Sequence, residues 1–188
     1  TWTVPRSIIA RSLFPKFKAN PQYVIDNNYH LYDRQGRLAD PHKIEWSAYN
    51  GRNFPYSVVQ QPWEKNALGR VKFIFPNRHA IYLHDTPSRE LFSRSSRAFS
   101  SGCVRVKHPL EFAEILLDDP DNWSLQQVRG LVDSREPQRR VHLDRDVDVM
   151  LMYWTTSPTR EGRLQFHNDV YGKDPSALAA LNAPPQVH

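Results

Sequence analysis

A single cysteine and one histidine of this chain have the types and spacing to act together. Cys103 follows Gly102 in a Ser-Gly-Cys bend, and His84 closes an alternating segment 19 positions earlier. A cysteine nucleophile needs a thiolate, an imidazole that takes or holds its proton, and N–H donors for the oxyanion of the tetrahedral intermediate. Gly102 removes a side chain where a substrate would approach, and the Cys103 N–H is a candidate donor. These residues are compatible with acyl transfer through a thioester.

Residue type and spacing alone leave a structural explanation open. A lone cysteine in a domain of this size is usually a small buried apolar side chain, and a histidine at a strand end is more often structural than catalytic. Because Cys103 is the one cysteine of the sequence, an internal disulfide and a thiolate-rich zinc site are excluded. The remaining histidines show no paired ligand spacing, so we expect no metal site.

Alternation of apolar and polar residues predicts the elements that would position this pair. Residues 69–75 and 80–84 alternate on either side of a Pro-Asn-Arg-His turn, which predicts two strands. Period two puts Tyr82 and His84 on one face of the second strand. A polar stretch, 85–101, then leads to the cysteine. Pro109 predicts the start of a helix that ends at 118–120, so we expect the thiol at the foot of this helix.

The rest of the chain is predicted more coarsely. Ser7 caps a helix that Pro15 should stop, and residues 13–66 form an irregular, aromatic-rich region. A capping box at Ser124 and Gln127 starts a further helix. Residues 141–155 predict one or two strands, of which 147–154 is apolar on both faces and therefore central. Residues 163–171 predict a last strand, before a helical tail.

Composition limits the class of protein. With 188 residues, 39% hydrophobic, the chain is long enough for one domain that carries a sub-domain. No apolar run approaches the roughly 18 residues of a membrane span, so we expect none in this segment. The net charge of +5 is spread along the chain. The sequence lacks the strand pattern or recognition helix of a nucleic-acid-binding protein, so we expect no nucleic-acid partner.

The motif around the pair resembles that of a known enzyme family. His84, a short spacer and then Ser100-Ser101-Gly102-Cys103-Val104-Arg105 resemble the His and Ser-x-Gly-Cys-x-Arg signature of the YkuD-type L,D-transpeptidases. Residues 80–87 (AIYLHDTP) and 97–106 (RAFSSGCVRV) are most similar to the YcbB-like subgroup, which tolerates serine at 101. The Trp-Thr-Val-Pro start and the long stretch before residue 69 also resemble that subgroup.

The resemblance implies roles for individual residues. Cys103 would be the nucleophile and His84 the base, while Ser100, Gly102 and Arg105 are motif positions that shape the bend and the donor site. Four further residues are candidates for substrate binding: Tyr82, Ser101, Trp2 and Asp85. Tyr82 resembles a position near the oxyanion and acyl-donor pocket, Trp2 is a candidate cleft wall, and the backbone carbonyl of Asp85 would orient the imidazole. The family needs no metal or organic cofactor.

The resemblance also implies a fold and a division of the chain. The fold class would be α+β, mostly β: a sandwich with flanking helices and an inserted capping sub-domain. Residues 1–12 would begin the catalytic domain, 13–66 form the cap, 67–175 the catalytic core, and 176–188 a peripheral tail. Family members carry further strands before the Trp-x-Val-Pro strand. We therefore expect this chain to lack N-terminal strands, with the missing segment present as a separate chain.

The expected reaction is the formation of 3→3 cross-links in peptidoglycan. Cysteine attacks a tetrapeptide stem, D-Ala leaves, and the side-chain amine of a second stem resolves the thioester. The resemblance also implies acylation by carbapenems and a periplasmic location in a Gram-negative envelope, with signal or anchor outside this segment. Two alternatives remain open here: a hydrolase of the same fold, in which water resolves the thioester, and a non-catalytic wall-binding module.

Overall fold

The computed structural model describes residues 1–99, 102–134 and 138–183. The chain divides into two compact units, Thr1–Asp146 and Val147–His188. Helices and sheets both occur, so the predicted α+β class is confirmed. The strands are only two to four residues long, and helices occupy more of the described residues than strands do. The expectation of a mostly β chain is therefore wrong.

A four-stranded antiparallel sheet lies in the N-terminal part of the first unit. Its order is β1-β4-β2-β3, with β1 at Trp2–Thr3, β2 at Tyr29–Tyr32, β3 at Leu38–Ala39 and β4 at Ser57–Gln60. Most of this sheet falls within the region that the sequence predicts to be irregular. Along β2 only Tyr29 and Leu31 are buried. Because this alternation lasts four residues, it is too short to stand out from a loop by sequence alone.

The N-terminal helix runs through the proline that was expected to stop it. Helix α1, Arg6–Ile8, continues through a wider turn at Ile9–Leu13 into α2, Phe14–Ala19. Pro15 lies in the first turn of α2, directly after the wider turn, a position at which proline is tolerated. Helix α3, Gln22–Asp26, follows Pro21.

An aromatic core holds these helices on the sheet. The ring of Phe17 is fully buried, and its centroid lies 5.5 to 6.2 Å from those of Tyr29, Trp46 and Tyr23. Val4 and Ile9 belong to the same core as residues beyond position 13. The first residues of the chain therefore pack with the aromatic-rich region. That residues 13–66 cover an active site stays a prediction.

A second sheet and three helices complete the first unit. The sheet order is β5-β6-β7, with β5 at Lys72–Phe73, β6 at Leu83–His84 and β7 at Val104–Arg105, and β6 and β7 run parallel. The helices are α4 at Pro109–Leu117, α5 at Pro120–Trp123 and α6 at Leu125–Asp133. The end of α4 and the capping box of α6 match the prediction. However, β7 and residues 106–108 separate Cys103 from α4. The expectation that the thiol lies at a helix foot is wrong.

The second unit is a hairpin and a helix. Strands β8, Thr156–Pro158, and β9, Leu164–Phe166, pair around a turn at 159–162, and α7 spans Asp174–Leu181. The last strand, predicted over 163–171, is observed over the shorter range Leu164–Phe166, and the helix in the tail was predicted. The central strand expected at 147–154 is wrong: this segment has no regular structure, and Met150 and Trp154 are 79% and 66% exposed. A strand that is apolar on both faces needs neighbours at both edges, and no described strand pairs with it.

The length and apolar character of the helices bear on whether the described part of the chain crosses a membrane. Across residues 1–99, 102–134 and 138–183, no helix has the length and apolar character needed to cross a membrane.

Candidate active site

The parallel pairing of β6 and β7 brings the two predicted catalytic residues to one surface. Leu83 pairs with Val104 and His84 with Arg105. The N–H of Val104 donates to the carbonyl of Tyr82, the residue before β6, at 3.2 Å. Side chains alternate along each strand, so Tyr82, His84, Cys103 and Arg105 project from the same face. Tyr82 lies opposite Cys103, and His84, two residues further along the chain than Tyr82, lies opposite Arg105.

The residue before Cys103, Gly102, has a backbone conformation that favours glycine. The φ angle of Gly102 is +136°, a conformation that side chains rarely adopt. A Cβ built there would make only ordinary contact with Ile81, at 3.7 Å. The backbone conformation, rather than a lack of space, is what requires glycine here. Cys103 itself is partly buried.

The Tyr82 hydroxyl links Cys103 to the first strand of the chain. The hydroxyl donates a hydrogen bond to the Cys103 sulfur and accepts one from the Trp2 indole. Burial, followed by the charge and the hydrogen bond of Cys103, raises the pKa of Tyr82 to about 12, while the Trp2 bond acts in the opposite direction. Tyr82 is therefore a neutral donor at physiological pH. This hydroxyl would stabilise a thiolate at Cys103.

His84 is buried and held by its own chain neighbour. Its Nδ1 forms a hydrogen bond with the Asp85 carbonyl, the contact expected from the sequence, and its ring centroid lies 5.9 Å from that of Tyr82. A carbonyl only accepts, so Nδ1 carries the proton and Nε2 has a free lone pair. Burial lowers the pKa of His84, and the positive charge of Arg105 lowers it further, against an opposing effect of the Asp85 carbonyl and carboxylate. The imidazole is thus neutral at physiological pH and can act as a base.

The Asp85 side chain faces a different set of partners from its carbonyl. The carboxylate accepts the backbone N–H of Arg70 at 2.9 Å and a hydrogen bond from the Arg89 guanidinium. Gly69 lies so close that a Cβ there would meet an Asp85 carboxylate oxygen at 2.3 Å. Asp85 is therefore structural at its carboxylate and orienting at its carbonyl. The sequence analysis did not predict the pairing of Arg89 with Asp85, although opposite charges four positions apart were a signal that could have found it.

Of the other predicted residues, Arg105 and Trp2 lie near His84 and Tyr82, and two lie outside the described residues. Arg105 lies beside His84, and its Nε is buried with no hydrogen-bond partner among the described residues. Trp2 reaches the site through Tyr82. Ser100 and Ser101 lie outside the described residues. In the same described ranges, no three side chains of His, Cys, Asp or Glu cluster as a metal site.

A thiol, a neutral imidazole and a hydroxyl donor on one face of a short parallel ladder are the kinds of group that cysteine acyl transfer requires. Comparison with known proteins then gives the family. Residues 1–123 match the profile of the YkuD family, the L,D-transpeptidase catalytic domain. The chain belongs to this family.

A relative extends the similarity over nearly all of the chain. A protein of Haemophilus influenzae named "Putative L,D-transpeptidase" is 38% identical over 182 residues, which cover 96% of this chain and 36% of that protein. The chain thus spans about a third of the length of the curated relative it matches. The family recognised from the motif is confirmed.

Proposed function

We propose that this chain is the catalytic part of a peptidoglycan L,D-transpeptidase that forms 3→3 cross-links through a thioester on Cys103. The observation that carries the proposal is the β6–β7 register, which puts Cys103 opposite Tyr82 and on the same face as His84. Membership of the YkuD family supports it.

Acylation begins with a proton transfer within the site. Nε2 of His84 takes the thiol proton, and the Cys103 sulfur attacks the carbonyl that joins the third stem residue to the terminal D-Ala. The C–S bond forms, the C–N bond breaks, and His84 returns its proton to the departing amine of D-Ala. The lowered pKa of His84 suits this role because the base must start neutral.

Deacylation reverses the proton path. The side-chain amine of a second stem, usually that of meso-diaminopimelate, attacks the thioester and loses a proton to His84 Nε2. The C–N bond forms as the C–S bond breaks, and His84 Nε2 returns its proton to the departing sulfur, which restores the Cys103 thiol and the neutral imidazole. Tyr82 donates to the sulfur in both steps, and the Cys103 N–H serves the oxyanion. Arg105 binds a substrate carboxylate through its guanidinium. Ser100 has a catalytic role and Ser101 binds substrate, and Trp2 forms a wall of the cleft.

The first test removes the nucleophile. Because the sequence has one cysteine, Cys103→Ala should abolish acylation by a carbapenem, seen as loss of the adduct in an intact-mass spectrum. Cross-linking of disaccharide tetrapeptides should be lost as well. Acylation of the variant at an unchanged rate would exclude the thioester mechanism.

Product analysis distinguishes the transferase from its alternatives. A transpeptidase releases D-Ala and gives a cross-linked dimer, whereas a hydrolase gives free tripeptide. A wall-binding module gives neither, and leaves Cys103 unmodified with every tetrapeptide tested. The dimer is the expected product.

We further propose a periplasmic location, with any signal or anchor outside this segment. The single thiol supports it: no second cysteine in the sequence can trap Cys103 in an internal disulfide under oxidising conditions. The proposal that a separate chain supplies further sheet strands is tested by an intact mass of the purified material.

A further inference from the structure

Four hydrogen-bonded groups form what we call the Asp85–Arg89 clamp: the Asp85 carboxylate, the Arg89 guanidinium, the Arg70 N–H and the Lys107 carbonyl. The Asp85 side chain is only 5% exposed, while that of Arg89 is 49% exposed. Arg89 donates to the carboxylate and also to the Lys107 carbonyl, the latter at 2.6 Å. A buried carboxylate thus has both a charged partner and a backbone donor, as a buried ion requires.

The clamp joins the two strands of the site at the same end. Asp85 directly follows β6, and its N–H donates to the Val71 carbonyl at 2.8 Å. Lys107 lies in the loop that follows β7. By bonding to both, the single Arg89 side chain holds the residue after His84 against the loop that follows the Cys103 strand.

The backbone of the clamped residue is the group that orients the base. The Asp85 carbonyl accepts the Nδ1–H of His84, while the Asp85 side chain is held by the clamp. A neutral imidazole has two tautomers, and only the one with a proton on Nδ1 leaves Nε2 able to accept from a thiol. Any group that fixes the Asp85 backbone therefore selects the reactive tautomer.

We propose that Arg89 is a positioning residue for the acyl transfer: by clamping Asp85 it keeps the Asp85 carbonyl on His84 Nδ1, so that Nε2 faces Cys103 as the base. This inference rests on the proposed function for its kinetic consequence, but not for the tautomer itself. In this role Arg89 acts through the Asp85 backbone and not directly on the thiol or the imidazole.

The central test is Arg89→Ala, compared with the matched control Arg94→Ala. Arg94 is an exposed residue of the same charge, five positions further along and outside the clamp. Misplacement of a base by about 1 Å can reduce a rate roughly a hundredfold. We expect Arg89→Ala to lower the rate of Cys103 acylation by about 10- to 100-fold, with KM little changed, and Arg94→Ala to keep the rate. Arg89→Lys should fall between, since one ammonium replaces a planar fork that bonds two acceptors.

A spectroscopic readout separates positioning from a general structural defect. Long-range proton–nitrogen correlation spectra of the His84 ring report which nitrogen carries the proton. The wild-type protein should show Nδ1–H, and Arg89→Ala should show a mixture of tautomers. Unfolding curves of the two variants establish that both are folded under the assay conditions.

Chemical rescue uses the cavity beside the clamp. A cavity of about 550 Å³ is lined by Arg89, Asp85, Gly69 and His108 among others, which gives a small cation access to the vacated position. Guanidinium at low millimolar concentration should restore part of the acylation rate of Arg89→Ala, and urea, of similar shape but neutral, should not. Combining Arg89→Ala with Asp85→Asn should cost little more than the larger single effect, because both break the same clamp.

The outcomes divide clearly. A wild-type acylation rate in Arg89→Ala, or a reduced rate with an unchanged tautomer, would overturn the positioning role. A fall in rate that comes through KM alone would also overturn it, and would indicate direct binding of substrate by Arg89. If the wild-type His84 shows Nδ1–H but Cys103 is never acylated, the proposed function fails while the effect of Arg89 on the tautomer can still be measured.

Discussion

Replacing Tyr82 by phenylalanine tests whether its hydroxyl supports the nucleophile. The substitution keeps the ring and removes the donor to the Cys103 sulfur, and it leaves the Trp2 indole without its acceptor. A hydrogen bond to a charged group contributes about 1.5–3 kcal/mol, and about 1.4 kcal/mol corresponds to a factor of ten. Because Tyr82 is only partly buried, water replaces part of the lost bond, so the lower end applies. We expect Cys103 to react about tenfold more slowly.

The assay follows alkylation of Cys103 by iodoacetamide at neutral pH. With one cysteine in the chain, every modified molecule is labelled at this site. Tyr153→Phe is the matched control, since it removes a hydroxyl that bonds the Asn168 carbonyl at 2.7 Å in the other unit. Trp2→Phe should slow the reaction by a smaller factor, because Trp2 acts through Tyr82. If Tyr82→Phe reacts as fast as the wild-type protein, the hydroxyl does not stabilise the thiolate and its proposed role is refuted.

Three further predictions concern backbone, core and pH. Gly102→Ala, at a φ of +136°, should lower the free energy of unfolding by about 1–3 kcal/mol in urea and change the alkylation rate of Cys103; an unaffected variant would contradict the argument from conformation. Phe17→Ala should lower the free energy of unfolding by about 3–5 kcal/mol, since its ring is fully buried among aromatics, and a loss under about 1 kcal/mol would disagree with that packing. The folded pKa of His84 lies below its ordinary value of about 6.5, so the unfolded chain binds more protons. His84 therefore contributes stability that is present above roughly pH 6.5 and is lost as the pH falls towards its folded pKa. Urea titrations at several pH values give the dependence of the free energy of unfolding on pH. This dependence should differ between the wild-type protein and His84→Gln, and equal dependence would exclude the contribution of His84.

Local patterns were predictable where a regular element lasts long enough to repeat. Helix α4 spans Pro109–Leu117 and is followed by Asp118, which has a left-handed φ of 48°, and both the start and the end are readable in the sequence. The capping box at Ser124 is similarly local. The prediction at Pro15 was wrong because a proline can either end a helix or occupy the first turn of the next one, depending on the residues that precede it. The run 147–154 misled because an apolar segment predicts a buried strand only if partners are present to cover it.

By itself, the sequence determined the chemistry available to this protein: a single thiol after glycine, a histidine on the same face as a tyrosine, and a motif that identifies the family. Those properties depend on residue type and on neighbours within a few positions. The tertiary structure alone decided that β6 and β7 run parallel in a register that sets Cys103 opposite Tyr82, and that Arg89 and Trp2 reach the site. Register and clamp join residues distant in the chain, and their geometry depends on loop closure and packing, which no local pattern encodes.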